Sequence, residues 1–214
     1  MKVYEIEQGS PEWHKLRAGA ITASMFSTIR DVYKTGKDKG GYKSAALDYA
    51  FRLAVERISG TPLDDGFETY QMRRGHELEP DARRWHAFRT GLEIQKAGFV
   101  ATEDGKFGAS ADGLIGDDGG SEYKCLVSPE RLRKILFDGD LSEFDDQMQG
   151  GLWLTGRTWW HFVLYCPALE PCGREGHIVE VKRDDDYIES MEADLIAFDA
   201  KVEEYRQAIV GGHS

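Results

Sequence analysis

Residues 92–127 change the hydrophobic period of the chain, and that change constrains the fold more than any other feature. The segments LEIQKAGFVA, KFGASADGLIG and SEYKCLV read as strands, separated by the turn signals Asp104-Gly105 and Asp118-Gly119-Gly120. Short apolar runs broken by Asp-Gly pairs close into antiparallel hairpins, so the block predicts a β-meander. TWWHFVLYCP and HIVEVKR add two further strands. Such a sheet has two faces to cover, and the rest of the chain supplies helices for them.

TASMFSTIR reads as a short helix opened by Thr22 or Ser24, followed by a loop, residues 34–43, too rich in Lys and Gly to pack. Ser44 is placed to cap a second helix, in which Leu47, Phe51, Ala54 and Ile58 recur at helical spacing before Gly60. A third helical stretch runs from Glu68 to Arg89 with Gly91 as its stop, and Pro80 marks either a break or a new first turn. Ser128-Pro129 starts another helix and FDDQMQGGLWLTG suits a further one. Ile188, Met191, Leu195, Phe198, Val202, Tyr205 and Ile209 trace one face of a long final helix. Helices flanking a mixed sheet make an α/β fold. The 214 residues, with five Trp, nine Tyr and ten Phe, suffice to fill one domain spanning 1–214.

The net charge of −11 is unevenly placed: residues 1–60 hold ten Lys or Arg against seven acids, and the remainder holds 17 against 31. A basic face on an acidic body still neutralises phosphates, so nucleic acid stays open as a partner. No apolar run approaches the roughly 20 residues of a membrane span, and the opening MKVYEIEQGS lacks a signal peptide's apolar stretch, which predicts a soluble intracellular protein. Three cysteines leave one over in any pairing and suit a reducing compartment. The spacing of Cys166, Cys172 and His177 matches no common closed zinc site. Trp13, Trp153, Trp159 and Trp160 could stack bases but are more often core residues, and His14, His76, His86 and His161 are assigned to structure.

The chemistry concentrates in GASADGLIGDDGGSEYKC, residues 108–125. Alternate side chains of a strand share a face, so Glu122 and Lys124 project together while Tyr123 points away. Asp112, one hairpin earlier, can meet Glu122 across neighbouring strands. Two carboxylates and the Tyr123 carbonyl form a partial all-oxygen shell of the kind Mg²⁺ accepts. A lysine beside it orients water or neutralises charge on a reacting phosphate. Taken alone, the same residues also describe an exposed hairpin with a lysine–carboxylate pair.

Five segments in order, WHKLRAGAITAS (13–24), RGHELEPDAR (74–83), GASADG (108–113), EYKC (122–125) and QMQGGLWLTGR (147–157), make the chain resemble the lambda-type phage exonucleases, the viral-recombinase branch of the PD-(D/E)xK nuclease superfamily. The resemblance implies a restriction-endonuclease-like fold, a mixed central β-sheet flanked by α-helices. It implies that Asp112, Glu122 and the Tyr123 carbonyl hold Mg²⁺, as two ions with Mn²⁺ a substitute, and that Lys124 is the active-site lysine. Glu79 matches the helix-borne acid, with Glu77 the nearby alternative, and Gln147 a glutamine near the attacking water. The proline that precedes the first aspartate in the family is Ala111 here, and that after the cysteine is Leu126.

Arg17 offers a planar fork for phosphate, and Thr22, Ser24 and Ser110 offer hydroxyls; helix capping and a surface ion pair are the plainer uses of the first three. In the family, residues at these positions contact a 5′-phosphate. The implied activity is 5′-to-3′ hydrolysis of one strand of linear double-stranded DNA, leaving 3′ tails for strand annealing. The implied setting is a homotrimeric ring working with a phage single-strand annealing protein in the cytoplasm of a bacterial host. An endonuclease of the same fold and a non-catalytic recombination module are the rival readings.

Overall fold

The computed structural model describes residues 1–63 and 70–212. In chain order the elements are β1 (Lys2–Tyr4), α1 (Pro11–Arg17), β2 (Ile21–Thr22), α2 (Phe26–Arg30), α3 (Ser44–Ser59), α4 (Tyr70–Thr90), β3 (Ile94–Gln95), β4 (Phe99–Ala101), β5 (Phe107–Ala109), β6 (Gly113–Ile115), β7 (Gly119–Lys124), α5 (Pro129–Arg133), α6 (Asp145–Thr155), β8 (Trp159–Tyr165), β9 (Gly176–Lys182) and α7 (Asp185–Gly211). A π-helical turn, Lys134–Asp138, extends α5. The expected mixed α/β class is observed, with the strands divided between two mixed sheets. One has the order β1-β4-β5-β2 and the other β3-β6-β7-β8-β9. Each contains one parallel pair, β2 with β5 and β7 with β8.

The division falls inside a segment that sequence reasoning treats as one strand. KFGASADGLIG breaks at residues 110–112, so β5 joins the first sheet and β6 the second. LEIQKAGFVA likewise breaks at residues 96–98, with β3 in the second sheet and β4 in the first, so the block is not the single meander expected. Asp112 therefore sits at the seam between the sheets. The turn signals also split: Gly105 adopts φ +74° between β4 and β5 as expected, whereas the β6–β7 turn uses Gly116 at φ +52°. Gly119 and Gly120 are strand residues instead. Their missing side chains make room for the rings of Trp159 and Trp160 on β8.

Two apolar clusters meet at α6. Leu154 packs with Phe26, Leu53, Met191, Leu195 and Phe198 from α2, α3 and α7. Met148 and Leu152 pack with Trp160, Phe162 and Leu164 of β8. The pair Gly150-Gly151 permits this, because a Cβ at Gly150 would lie 2.6 Å from the Phe26 ring and one at Gly151 3.2 Å from Trp160. The buried stripe of α3 is Ala46, Tyr49, Ala50, Leu53 and Ala54, rotated from the expected one, and Phe51 and Ile58 are exposed. Small alanines let α3 approach α7 more closely than the bulkier stripe would. Lys43 occupies the α3 cap position and Ser44 is already helical.

Thr22 ends β2 and stands, as expected, at the N-cap position of the helical segment, a 3₁₀ turn, Ala23–Met25, that runs into α2, but it makes no side-chain cap bond, and Ser24 lies within the turn. Helix α1 is an addition to the expected elements; Ser10 caps it through the Trp13 N–H at 3.2 Å. Helix α4 runs through Pro80 unbroken and ends at Gly91, whose N–H donates to Ala87 at 2.8 Å. Its expected start at Glu68 lies outside the described residues. On α7, Ile188, Met191, Leu195, Phe198 and Val202 are buried as expected, while Ile209 emerges into solvent.

Candidate active site

The β6–β7 ladder ends at Gly113 opposite Ser121, and the backbone of β7 continues past it. Beyond that end the Tyr123 N–H donates to Asp112 Oδ2 at 2.7 Å, so a side chain replaces the missing strand. The N–H and C=O of one strand residue point to the same side, which directs the Tyr123 carbonyl toward Asp112 and away from β8. Glu122 is buried on the face covered by α6. Its Oε1 accepts from Lys124 Nζ at 2.7 Å and from Gln147 Nε2 at 2.6 Å, and Lys124 also donates to Gln147 Oε1 at 2.9 Å. Gln147 comes from the first turn of α6, one turn before the glycine pair that seats the helix.

Helix α4 covers the other face of β7. Tyr123 packs with Ala82 and Val163, and its hydroxyl accepts from Ser121 Oγ at 3.2 Å and lies 3.1 Å from His86 Nδ1. His86 Nε2 lies 2.8 Å from His161 Nδ1, which gives both histidines the structural place expected of them. Glu79 lines the cleft while Glu77 is exposed and does not, a choice that the sequence leaves open. Arg83, one turn on, pairs with Glu79 Oε1 and donates to the Asp112 carbonyl at 2.6 Å. Burial, then Glu122 and Glu79, hold the Asp112 carboxyl well above the usual carboxylate range. Burial opposes the charge on Lys124, but Glu122 and Asp112 outweigh it and raise its pKa.

Asp112, Glu122, Lys124, Gln147 and Glu79 open into a cleft of about 1900 Å³ that also contains Arg17, Thr22 and Ser24. Arg17 stacks on Trp13, its guanidinium carbon 3.8 Å from the ring centroid, and Trp13 Nε1 donates to Ser110 Oγ at 2.9 Å. Ser110 thus stands behind Trp13 and is not part of the cleft wall. Burial lowers the Arg17 pKa to about 10, which leaves it charged at neutral pH. The Thr22 N–H donates to Tyr49 Oη at 3.1 Å, and buried Glu56 accepts from the Gly19 N–H at 2.8 Å. Sequence reasoning misses Glu56, Arg52, Arg74, Arg83 and Arg131, four of them arginines in this cleft. Only Arg83 carries a local signal, as the i+4 partner of Glu79 in ELEPDAR.

Among the described residues no three His, Cys, Asp or Glu side chains converge as a metal-holding group, so Cys166, Cys172 and His177 form no such site. The seam supplies a different set: two carboxylates, each tied to protein through one oxygen, and a main-chain carbonyl turned to the same side. An all-oxygen donor set whose carboxyl is raised by burial and then by Glu122 and Glu79 suits a hard divalent cation, which would relieve the carboxylate repulsion.

Two helix-covered mixed sheets with a buried acid–lysine centre in an arginine-lined cleft define an α/β protein of nuclease fold. The chain belongs to the YqaJ-like viral recombinase domain family, whose model matches residues 12–158. It is similar to an alkaline exonuclease, LHK-Exo, from Laribacter hongkongensis, with 30% identity, 94% of this chain and 97% of that chain covered, and a TM-score of 0.79. The same protein in complex with dAMP gives a TM-score of 0.80, with 30% identity over 94% of this chain and 98% of that chain. A phage related exonuclease from Haemophilus somnus 129PT shares the fold, with a TM-score of 0.67 and 18% identity over 90% of this chain and 96% of that chain. No curated protein sequence matches the chain. Among the described residues no helix is long and apolar enough to cross a membrane.

Proposed function

We propose that this chain is a Mg²⁺-dependent exonuclease that digests one strand of linear duplex DNA from its 5′ end and leaves a 3′ single-stranded tail for recombination. The observation that carries the reading is the single cleft shared by Asp112, Glu122, Lys124 and Gln147 with Arg17, Thr22 and Ser24. Family membership and the likeness to an alkaline exonuclease support it. Asp112, Glu122 and the Tyr123 carbonyl would hold the cation, as one or two ions, with Mn²⁺ able to replace Mg²⁺. A bound divalent cation supplies Lewis acidity at the phosphoryl oxygen and makes water easier to deprotonate.

The chain's own residues do the rest. Lys124, held between Glu122 and Gln147, presents a fixed positive charge where negative charge grows on the phosphate. Gln147 and Glu79 orient the attacking water from opposite sides of the strand. Arg17 reads the terminal 5′-phosphate through its fork, Thr22 and Ser24 add neutral donors, and Ser110 acts by fixing Trp13 beneath the guanidinium. Each cut regenerates a 5′-phosphate, so the group that is read is recreated at every step.

A ring-shaped homotrimer would keep an acidic protein on DNA through a basic channel, and a phage single-strand annealing protein in a bacterial host's cytoplasm would receive the tail. Linear duplex with a 5′-phosphate or a 5′-hydroxyl, and closed circular duplex, each incubated with and without Mg²⁺, test the activity. Digestion of the phosphorylated linear form alone, and only with metal, is expected. Cleavage of the closed circle would instead make the chain an endonuclease, and inertness on all substrates a non-catalytic module. Light scattering at physiological salt tests the trimer, and a monomer at every concentration refutes the ring.

A further inference from the structure

We propose that Arg83 is a positioning residue of the acid centre, the resident counter-cation of Glu79, and that it yields that carboxylate when a divalent cation binds. The proposal rests on the metal reading given above. One guanidinium touches three of the residues assigned to that reading. It pairs with Glu79 and donates to the Asp112 carbonyl at 2.6 Å, and its carbon lies 5.7 Å from the centre of the Tyr123 ring. It thereby bridges α4 to the seam between the sheets. The side chain is 14% exposed and its Nε is buried with no hydrogen-bond partner, so it is not an ordinary i,i+4 surface pair.

Charge explains why a cation belongs there. Asp112, Glu122 and Glu79 act on one another across the centre. Lys124 answers Glu122 and Arg83 answers Glu79, which leaves one negative charge in excess at buried Asp112. The other cleft arginines are engaged elsewhere: Arg74 with the Cys125 carbonyl at 2.7 Å, Arg131 with Glu143 at 2.7 Å. Two further positive charges arriving as one ion would overfill the site, so one resident cation must let go. Each cation has two partners, Lys124 in Glu122 and Gln147 and Arg83 in Glu79 and the Asp112 carbonyl, but the Glu79 side chain is 28% exposed and Glu122 only 7%, so water replaces the guanidinium on Glu79 more readily than the ammonium on Glu122. Arg83 is the one that yields, which frees Glu79 for the metal or its water.

The test compares wild type, Arg83→Met, Glu79→Gln and the double variant in three measurements: melting without metal, Mn²⁺ calorimetry without DNA, and kcat and KM on 5′-phosphorylated linear duplex. Arg83→Met should melt lower without metal yet bind Mn²⁺ roughly tenfold more tightly, because a competing charge is gone. Its kcat should fall with KM unchanged, since Glu79 is no longer held in place. In the Glu79→Gln background the gain in Mn²⁺ affinity should vanish. Tighter metal binding with slower turnover is a pair of effects that loss of packing does not produce. If Arg83→Met fails to fold, Arg83→Lys keeps the charge and loses the fork: Mn²⁺ affinity should stay within about twofold of wild type while kcat falls. Unchanged or weaker Mn²⁺ binding by folded Arg83→Met overturns the proposal, as does a raised KM at constant kcat, which marks an ordinary DNA contact. An equal effect with and without the Glu79 carboxylate overturns it too. A wild-type protein that binds no Mn²⁺ overturns the metal reading itself, a result distinct from every variant outcome.

Discussion

The two ends of the cleft are built in different ways. At the seam, Asp112, Glu122 and Lys124 lie within thirteen positions of one another in sequence, and strand alternation alone places Glu122 and Lys124 together. At the Arg17 end the guanidinium rests on Trp13 of its own helix, but the groups around it are set from far away: Trp13 by Ser110, Gly19 by Glu56, and Thr22 by Tyr49. The first end is written in local geometry and its groups are reacting groups. The second is held by long-range hydrogen bonds, so its performance depends on residues that touch no substrate.

Breaking the seam should give the largest effect. Asp112→Ala should lower the hydrolysis rate by about 10³-fold or more with the circular dichroism spectrum unchanged, and Lys124→Ala by about 10²-fold or more. A folded Asp112→Ala protein that retains substantial Mg²⁺-dependent cleavage would remove the seam from the chemistry. Lys124→Ala should keep its Mn²⁺ binding, which separates a charge-stabilising role from a ligand role.

The Arg17 end should respond in selectivity before rate. Wild type is expected to prefer 5′-phosphorylated over 5′-hydroxyl ends, and Arg17→Ala to lose about tenfold or more of that preference at fixed salt, the worth of a charge-assisted fork. Equal ratios in both proteins would make Arg17 a general contact. Glu56→Ala sharpens the comparison, since among the described residues Glu56 accepts from the Gly19 and Leu63 N–H groups and pairs with Arg52, and its loss leaves the buried Gly19 N–H without its acceptor. About 1–3 kcal/mol of stability should go with it, and the end preference should fall while rate on saturating DNA holds. Loss of stability with the preference intact would uncouple the loop from end reading.

The smallest effect is expected at acid pH, beneath the seam. Burial, then His161, push the His86 pKa down to about 4, below the ordinary 6.5. The unfolded chain therefore binds more protons between these values, and stability is present above pH 6.5 and lost as pH falls toward 4. At pH 5 the loss should be up to about 2 kcal/mol relative to pH 7.5. Asp112, with its carboxyl raised, works in the opposite sense, so the drop is read as the difference between wild type and His86→Gln melting curves. Parallel curves from pH 7.5 to 5 would show that His86 is not the acid-sensitive group.

Periodicity and turn residues make much of this protein legible from its sequence: the strands of residues 92–127 and 159–182, the long final helix, and the D…ExK grouping all rest on neighbours along the chain. The same reasoning misassigns the glycine pair 119–120 and the buried stripe of α3. Both are decided by what packs against them, Trp159 and Trp160 in one case and α7 in the other. It also runs one strand through residues 96–98 and another through residues 110–112, where the chain changes sheets, because no local signal records which sheet a strand will join. Glu79 is separated from Glu77 only by the way α4 lies against β7. Apart from Arg83, the i+4 partner of Glu79, the further arginines of the cleft become visible only once α3, α4 and α5 are brought around the seam. Backbone geometry acts over two to four residues and is carried by the sequence itself; the convergence of charges from distant segments depends on packing, which only the folded chain determines.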